Sequence, residues 1–306
     1  MQSLTTIADL IRWGASRFNA SDLCFGHGTD NALDEAAALV LHALHLPPDL
    51  HASGLQSHVT ADEREQIVQL VGRRIDERLP LPYLTGEAWF AGLRFRVDPN
   101  VLIPRSPIAE LIEQGFSPWL DDNHLERALD LCCGSGCIGI ATAVHHPHCQ
   151  VDLADISPDA LAVCRQNIRL HDLEERVSSV QSDLFKALPP ARYDLILSNP
   201  PYVGAEEMGS LPDEYRHEPV LALAAEEEGL ALVKRILSSA CDYLTPEGVL
   251  IVEVGNSAPL LCETYPDIPF VWLDFANGGD GVFLLGAQDL AQYGRRISQS
   301  PDSGRP

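Results

Sequence analysis

The sequence predicts an α/β protein built on a doubly wound, mainly parallel sheet of seven strands, with a small helical module and a hairpin connector in front of it. Three observations carry this expectation. From about Arg127 onward short apolar runs alternate with helical segments, the pattern of a parallel sheet covered on both faces. A glycine-rich loop joins the first of those runs to an apolar helical stretch, as in folds that bind ligands at the ends of their strands. The first eighty residues, by contrast, read as helical.

Within residues 1–80 a helix is expected over roughly Asp34 to Leu46. A second begins at a capping box of Thr60 and Glu63, ahead of Ile67, Leu70, Val71, Ile75 and Leu79 on one helical face. Pro80, Pro82 and Gly86 then change the texture. Trp89, Phe90, Phe95 and Val97 suggest a short hairpin leading to Pro104, so residues 81–108 read as a connector. The main domain is expected over 109–287, with strands at Ala128–Cys132, Val151–Asp155, Val177–Ser182, Tyr193–Ser198, Val249–Val254, Phe270–Phe275 and Val282–Leu285. Asn277 to Gly281 is too short for a helical crossover, so the last two strands should form an antiparallel pair. Residues 288–306 read as a flexible tail.

The chain has 306 residues, 45% of them apolar, enough to bury a substantial core. Its N-terminus has no cationic start followed by an apolar run, and no stretch approaches the eighteen or so apolar residues a membrane span needs, so a cytoplasmic protein without a membrane partner is expected. The eight cysteines suggest no disulfide scaffold, and Cys132, Cys133 and Cys137 lack the paired spacing of a structural zinc site. They read as small buried apolar residues. His145, His146 and His148 follow a helix without nearby carboxylates and read as a solvated loop, so no metal is expected.

A formal net charge of −23 argues against a protein that grips nucleic acid, which normally presents a basic face to phosphates. The acidity either serves solubility alone or draws in a cationic partner.

Asp130-Leu131-Cys132-Cys133-Gly134-Ser135-Gly136-Cys137 forms the glycine-rich loop. Gly134, Gly136 and Gly139 also spell a dinucleotide fingerprint, with Asp155 ending the next strand about where a ribose-binding acid belongs. That signal alone is weak. Asp155 is either a ribose acceptor for two hydroxyls or a turn acid. Asp183 and Leu184, after the third strand, would accept from an adenine amino group and cover its ring, or else form a turn.

Asn199-Pro200-Pro201-Tyr202 follows the fourth strand, at the carboxyl edge where such sheets bind ligands. An Asn-Pro turn is the plain alternative. A primary amide is a poor nucleophile, because its nitrogen lone pair is delocalised into the carbonyl. The Asn199 side-chain oxygen and the Pro200 carbonyl can each accept one amide N–H, fixing the nitrogen for in-line attack on a methyl donor. Those bonds strengthen as positive charge develops, so they favour the transition state. Tyr202 would cover the planar amide. A carboxylate in the same pocket would face two acceptors and be rejected. No general base is required before transfer.

Taken together, these residues resemble the glutamine methyltransferases of the HemK/PrmC and PrmB type, over nearly the whole chain. Pro82-Tyr83-Leu84-Thr85-Gly86, Phe95, Val97 and Val101-Leu102-Ile103-Pro104-Arg105 are similar to the connector of these enzymes, which helps enclose the substrate. The resemblance implies a class I S-adenosylmethionine-dependent methyltransferase domain of Rossmann-like fold. It implies that S-adenosylmethionine is held by Asp130, Cys132, Cys133, Gly134, Ser135, Gly136, Asp155, Ile156, Asp183, Leu184 and Asn199. Substrate contacts fall to Asn199, Pro200, Pro201, Tyr202 and Arg105, with Asn199, Pro200 and Tyr202 carrying catalysis.

Release-factor enzymes of this family continue the connector as Pro-Arg-Pro and an acid, whereas this chain has Pro104-Arg105-Ser106-Pro107-Ile108. With Gly26-His27-Gly28-Thr29-Asp30-Asn31 and Asp34-Glu35-Ala36, that departure is similar to the PrmB branch, which methylates a glutamine of large-subunit ribosomal protein three. A basic ribosomal protein suits an acidic enzyme. A release factor is the nearest alternative substrate, and an adenine amine of nucleic acid a more distant one that the charge disfavours. A nicotinamide oxidoreductase would leave Asn199 to Tyr202 unexplained, and intact Asn199 and Asp155 argue against a non-catalytic module. Gly139 stands where a small helix former is expected, which puts local helix stability in question. Leu184 replaces a tryptophan of some release-factor enzymes, so its ring contact should be apolar.

Overall fold

A computed structural model describes residues 4–120 and 125–297. Its N-terminal part packs α1 (Ile7–Asn19), α2 (Ala32–Ala43) and α3 (Ala61–Asp76) around a core that includes Leu10, Phe18, Leu39 and Ile67. The Thr60–Glu63 capping box is present, with Glu63 N–H donating to Thr60 Oγ1 and Thr60 N–H to Glu63 Oε2. Both α1 and α3 therefore start on reciprocal caps, Thr6 and Asp9 serving the first. A short helix α4 (Leu81–Thr85) leads into the antiparallel pair β1 (Glu87–Phe90) and β2 (Leu93–Arg96) and then α5 (Ile108–Glu113).

The main sheet contains β3 (Arg127–Leu131), β4 (Gln150–Asp155), β5 (Val177–Gln181), β6 (Tyr193–Ser198), β7 (Leu244–Glu253), β8 (Val271–Trp272) and β9 (Val282–Gly286). Its order is β5-β4-β3-β6-β7-β9-β8, with β9 antiparallel to both neighbours and the other pairings parallel. Alternate strand residues enter two different cores. Ala128, Val151, Leu195 and Ile251 face α6 (Cys137–His145) and α7 (Pro158–Leu170). Leu129, Ile196, Leu250 and Phe283 face α10 (Ala231–Ser239) and α11 (Ala258–Thr264), and this double burial is why the strands read as continuous apolar runs. The short helices α8 (Ala205–Ser210) and α9 (Val220–Leu223) lie in the long β6–α10 connection.

The chain reverses direction across the sheet between β3 and β6, so their carboxyl ends border a crevice. Leu131 pairs with Ser198, and the Ser198 hydroxyl donates to the Leu131 carbonyl at 2.9 Å. The glycine-rich loop and the Asn199 tetrapeptide thus leave the sheet side by side.

Four expectations are corrected. The segment after Gln288 is not a frayed tail as far as Ile297: α12 (Ala287–Ile297) is helical, and Leu290 is buried against the second core. The remainder of the expected 288–306 tail lies outside the described residues. His146 is not in a solvated loop but buried, its ring stacked on Phe116 with centroids 5.5 Å apart, while His145 ends α6. Gly139 is a packing requirement rather than a helix weakness, since a Cβ there would collide with Leu153 Cδ2 and lie 3.0 Å from Asp130 Cβ. Finally, the first strand stops at Leu131, because Cys132 turns into the left-handed region at φ 59°.

Candidate active site

Two cavities meet at the crevice. The first is lined by Cys132, Cys133, Gly134 and Ser135 of the loop, Asp155 and Ile156 at the end of β4, Asp183 and Leu184 after β5, and Pro201. The second is lined by Pro200, Tyr202, Tyr215, Glu253 and Gly255, among others. Asn199 and Arg105 line both.

Asp155 holds the glycine loop from below. Its Oδ2 accepts from Gly134 N–H at 2.8 Å and its Oδ1 from Ser157 N–H at 2.9 Å, leaving each oxygen a further lone pair for a hydroxyl. Burial raises its pKa above the ordinary carboxylate value, opposed by those backbone donors. Around it, Ile156 (51% exposed), Leu184 and Leu221 (60% exposed) offer apolar surface to a flat ring. A cofactor with a vicinal diol and an aromatic base fits these residues. Asp183 is engaged on both oxygens, by Lys186 Nζ and Arg235 Nη2 at 2.6 Å each, which lowers its pKa. Arg235 also lines the cavity and was not singled out from sequence.

Asp130 and Gly136, like Leu131, line neither of these two cavities. Asp130 instead accepts from Gly139 N–H at 2.9 Å inside the first turn of α6, and burial pushes its pKa up to about 7. Gly136 stands at the N-terminal boundary of the same helix in the left-handed region at φ 80°, a conformation glycine adopts without steric cost. These two positions shape the loop from behind.

Among the described residues, neither the Asn199 side-chain amide nor the Pro200 carbonyl has a hydrogen-bond partner. Both are left to a ligand at the wall between the cavities. Tyr202 is fixed by contrast. Its hydroxyl donates to Glu253 Oε1 at 2.9 Å, Ser106 Oγ donates to Glu253 Oε2 at 2.6 Å, and its ring lies where a Cβ on residue 255 would be, 2.6 Å from Cε2. Burial raises the pKa of both Glu253 and Tyr202. Sequence reasoning missed Glu253. It follows Val252, which pairs with Ser198, so an acid at the end of the strand next to the tetrapeptide was the available signal.

Arg105 reaches the junction of the cavities through Glu218. Its two terminal nitrogens lie 2.6 Å from the two Glu218 oxygens, and Ile103 N–H adds a donor at 3.0 Å. Burial of Glu218 opposes ionisation, but His27 and Arg105 overcome it and hold the carboxyl down at about 2. The Arg105 guanidinium also lies over the Tyr215 ring, 5.2 Å from its centroid. Asn167 ties the hairpin to the loop, donating to the Arg96 and Ser135 carbonyls at 3.0 and 2.9 Å.

Residues 115–211 match the family model of the methyltransferase small domain. The chain is 50% identical over 290 residues to the ribosomal protein uL3 glutamine methyltransferase of Bordetella pertussis (strain Tohama I), covering 94% of this chain and 97% of that one. It is 51% identical over 297 residues to the enzyme of the same description from Xanthomonas campestris pv. campestris, covering 97% and 96%. Among solved structures, the catalytic domain of hMettl16 in complex with a MAT2A 3'UTR hairpin is similar in fold, with a TM-score of 0.50, 17% identity and coverage of 78% of this chain and 86% of that one.

Proposed function

The chain belongs to the ribosomal protein uL3 glutamine methyltransferases, and on that premise we propose that it methylates the side-chain amide nitrogen of a glutamine in large-subunit ribosomal protein uL3, using S-adenosylmethionine. The observation that carries the chemistry is the pair of unengaged acceptors at Asn199 and Pro200, on the wall shared by two cavities. A primary amide has two N–H donors to satisfy them, whereas a carboxylate has none.

The first cavity takes the cofactor, with Asp155 accepting from its ribose hydroxyls and Ile156, Leu184 and Leu221 covering its base. When bound, S-adenosylmethionine supplies an electrophilic methyl group. The second cavity takes the glutamine. Asn199 Oδ1 and the Pro200 carbonyl hold the amide nitrogen, and these bonds tighten as charge develops on it. Tyr202, anchored by Glu253, closes one side of the amide, and Arg105 borders the point where the cavities join. The nitrogen loses its proton to solvent after transfer, so no side chain is assigned as a base.

The helical module over residues 1–80 is assigned to recognition of the partner, whose basic character suits a chain of net charge −23. The cytoplasm is the expected compartment. All eight cysteines are free, in keeping with reducing conditions, and among the described residues no helix is long and apolar enough to cross a membrane.

The test offers the purified protein labelled S-adenosylmethionine with, separately, free uL3, a peptide-release factor and an adenine-containing oligonucleotide, and locates the methyl by mass spectrometry. Label on a uL3 glutamine is expected. Label on the release factor alone would keep the chemistry and reject the substrate, and label only on the oligonucleotide would reject both.

A further inference from the structure

The segment Gly26-His27-Gly28 lies in the helical module, yet His27 is buried to 3% exposure against the catalytic side of the molecule. Its ring packs on Tyr215 with centroids 4.4 Å apart, and its Nε2 is 3.7 Å from Glu218 Oε2. That distance allows attraction but exceeds a hydrogen bond, and neither ring nitrogen has a hydrogen-bond partner among the described residues. Burying a ring whose two nitrogens make no hydrogen bond is unfavourable, and the longer-range attraction of Nε2 to Glu218 offsets only part of that. Packing alone would be served at lower free energy by an apolar side chain, so the polar ring invites another explanation.

The neighbours of His27 supply one. Tyr215 and Glu218 hold Arg105 from two sides, one beneath the guanidinium and one gripping it by two bonds, beside a longer bond to the Ile103 carbonyl. The approach also needs Gly26, because a Cβ there would sit 3.3 Å from the Tyr215 hydroxyl and its φ is 153°. We propose that His27 is a positioning residue for methyl transfer: acting through Glu218 and Tyr215, it fixes the Arg105 guanidinium at the junction of the two cavities. The helical module thereby contributes to the geometry of the reacting site and not only to partner recognition. This rests on the function proposed above.

The test measures uL3 methylation by His27→Ala, His27→Gln, Glu218→Gln and the double variants in the full-length chain, with cofactor affinity by calorimetry and folding by thermal unfolding. If His27 acts as a positioning residue, His27→Ala lowers kcat on the order of tenfold or more while cofactor affinity stays within about twofold, and His27→Gln recovers part of the loss. The loss should also vanish in the Glu218→Gln background, because both changes disturb one element. Should the alanine variant fail to fold, the cycle with His27→Gln carries the same requirement. Losses that multiply independently, or a folded His27→Ala with wild-type kcat, overturn the proposal. A wild-type chain inert on uL3 overturns instead the function on which it rests.

Discussion

The Tyr202 hydroxyl donates to Glu253 at the wall of the second cavity, and the same carboxylate receives Ser106 from the connector. Three segments distant in sequence therefore meet on one buried acid. Tyr202→Phe removes one of its two donors while keeping the ring. A hydrogen bond to a charged group contributes about 1.5–3 kcal/mol, so kcat/KM on uL3 is expected to fall roughly ten- to a hundredfold. Cofactor affinity should not move. Steady-state kinetics with parallel calorimetry measure both, and an unchanged kcat/KM would remove Tyr202 from the amide site.

Asn199→Ala deletes an acceptor that no other group among the described residues uses. Turnover is expected to fall about 10²- to 10³-fold, the range seen when one preorganised hydrogen-bonding group is lost from a reacting centre. Single-turnover rates check this. Asp155→Ala should behave in the opposite way, weakening cofactor binding in calorimetry.

Gly139→Ala separates helix propensity from packing. Alanine is the better helix former by about 1 kcal/mol, and on propensity alone the variant would be more stable. The added carbon collides with Leu153, however, and overpacking of this kind destabilises by about 1–3 kcal/mol. A lower urea midpoint is expected.

Asp130 makes stability depend on pH. Its pKa is raised from 3.8 to about 7 in the folded chain, so the native state binds a proton more readily than the unfolded one. Native stability is favoured below this window and declines as pH rises through it from about 4 to about 7, at up to about 1.4 kcal/mol per pH unit from this group. Urea melts across that range should show the slope, and Asp130→Asn should flatten it.

Arg74 bridges the module to the β6–α10 connection. It donates to Glu35 at 2.6 Å and to Glu214 at 3.3 Å, and all three are buried. Arg74→Leu leaves the buried Glu35 carboxylate without its cation and takes one of two from Glu214, which keeps Arg78 at 3.2 Å. Stability is expected to drop by about 3–5 kcal/mol. Chemical denaturation reads it directly.

What was legible in the sequence was what neighbouring residues decide together. The strand alternation, the Thr60–Glu63 cap, the antiparallel final pair and the glycine loop are local patterns, and each has its counterpart in the fold. Glu253 and Glu218 were not legible, because Glu253 reaches Tyr202 only through the β6–β7 pairing and Glu218 meets Arg105 across 113 positions. Gly139 was misread for the same reason: propensity belongs to the helix, but Leu153 belongs to the strand beneath it. Asp130 sits at the head of the loop in sequence yet behind its wall in space. The segment after Gln288 read as a flexible tail, and the burial of Leu290 in the second core is the contact that sequence did not show.

The pairing of Leu131 with Ser198 acts as a ruler. Adjacent strands in any sheet stand about 4.8 Å apart, a spacing fixed by backbone hydrogen bonds and indifferent to side chains. Donor and acceptor pockets that begin on neighbouring strand ends inherit that interval as a constant of the architecture. The helical module and the loops at the rim of the crevice can then change in sequence without recalibrating the interval between those two strand ends.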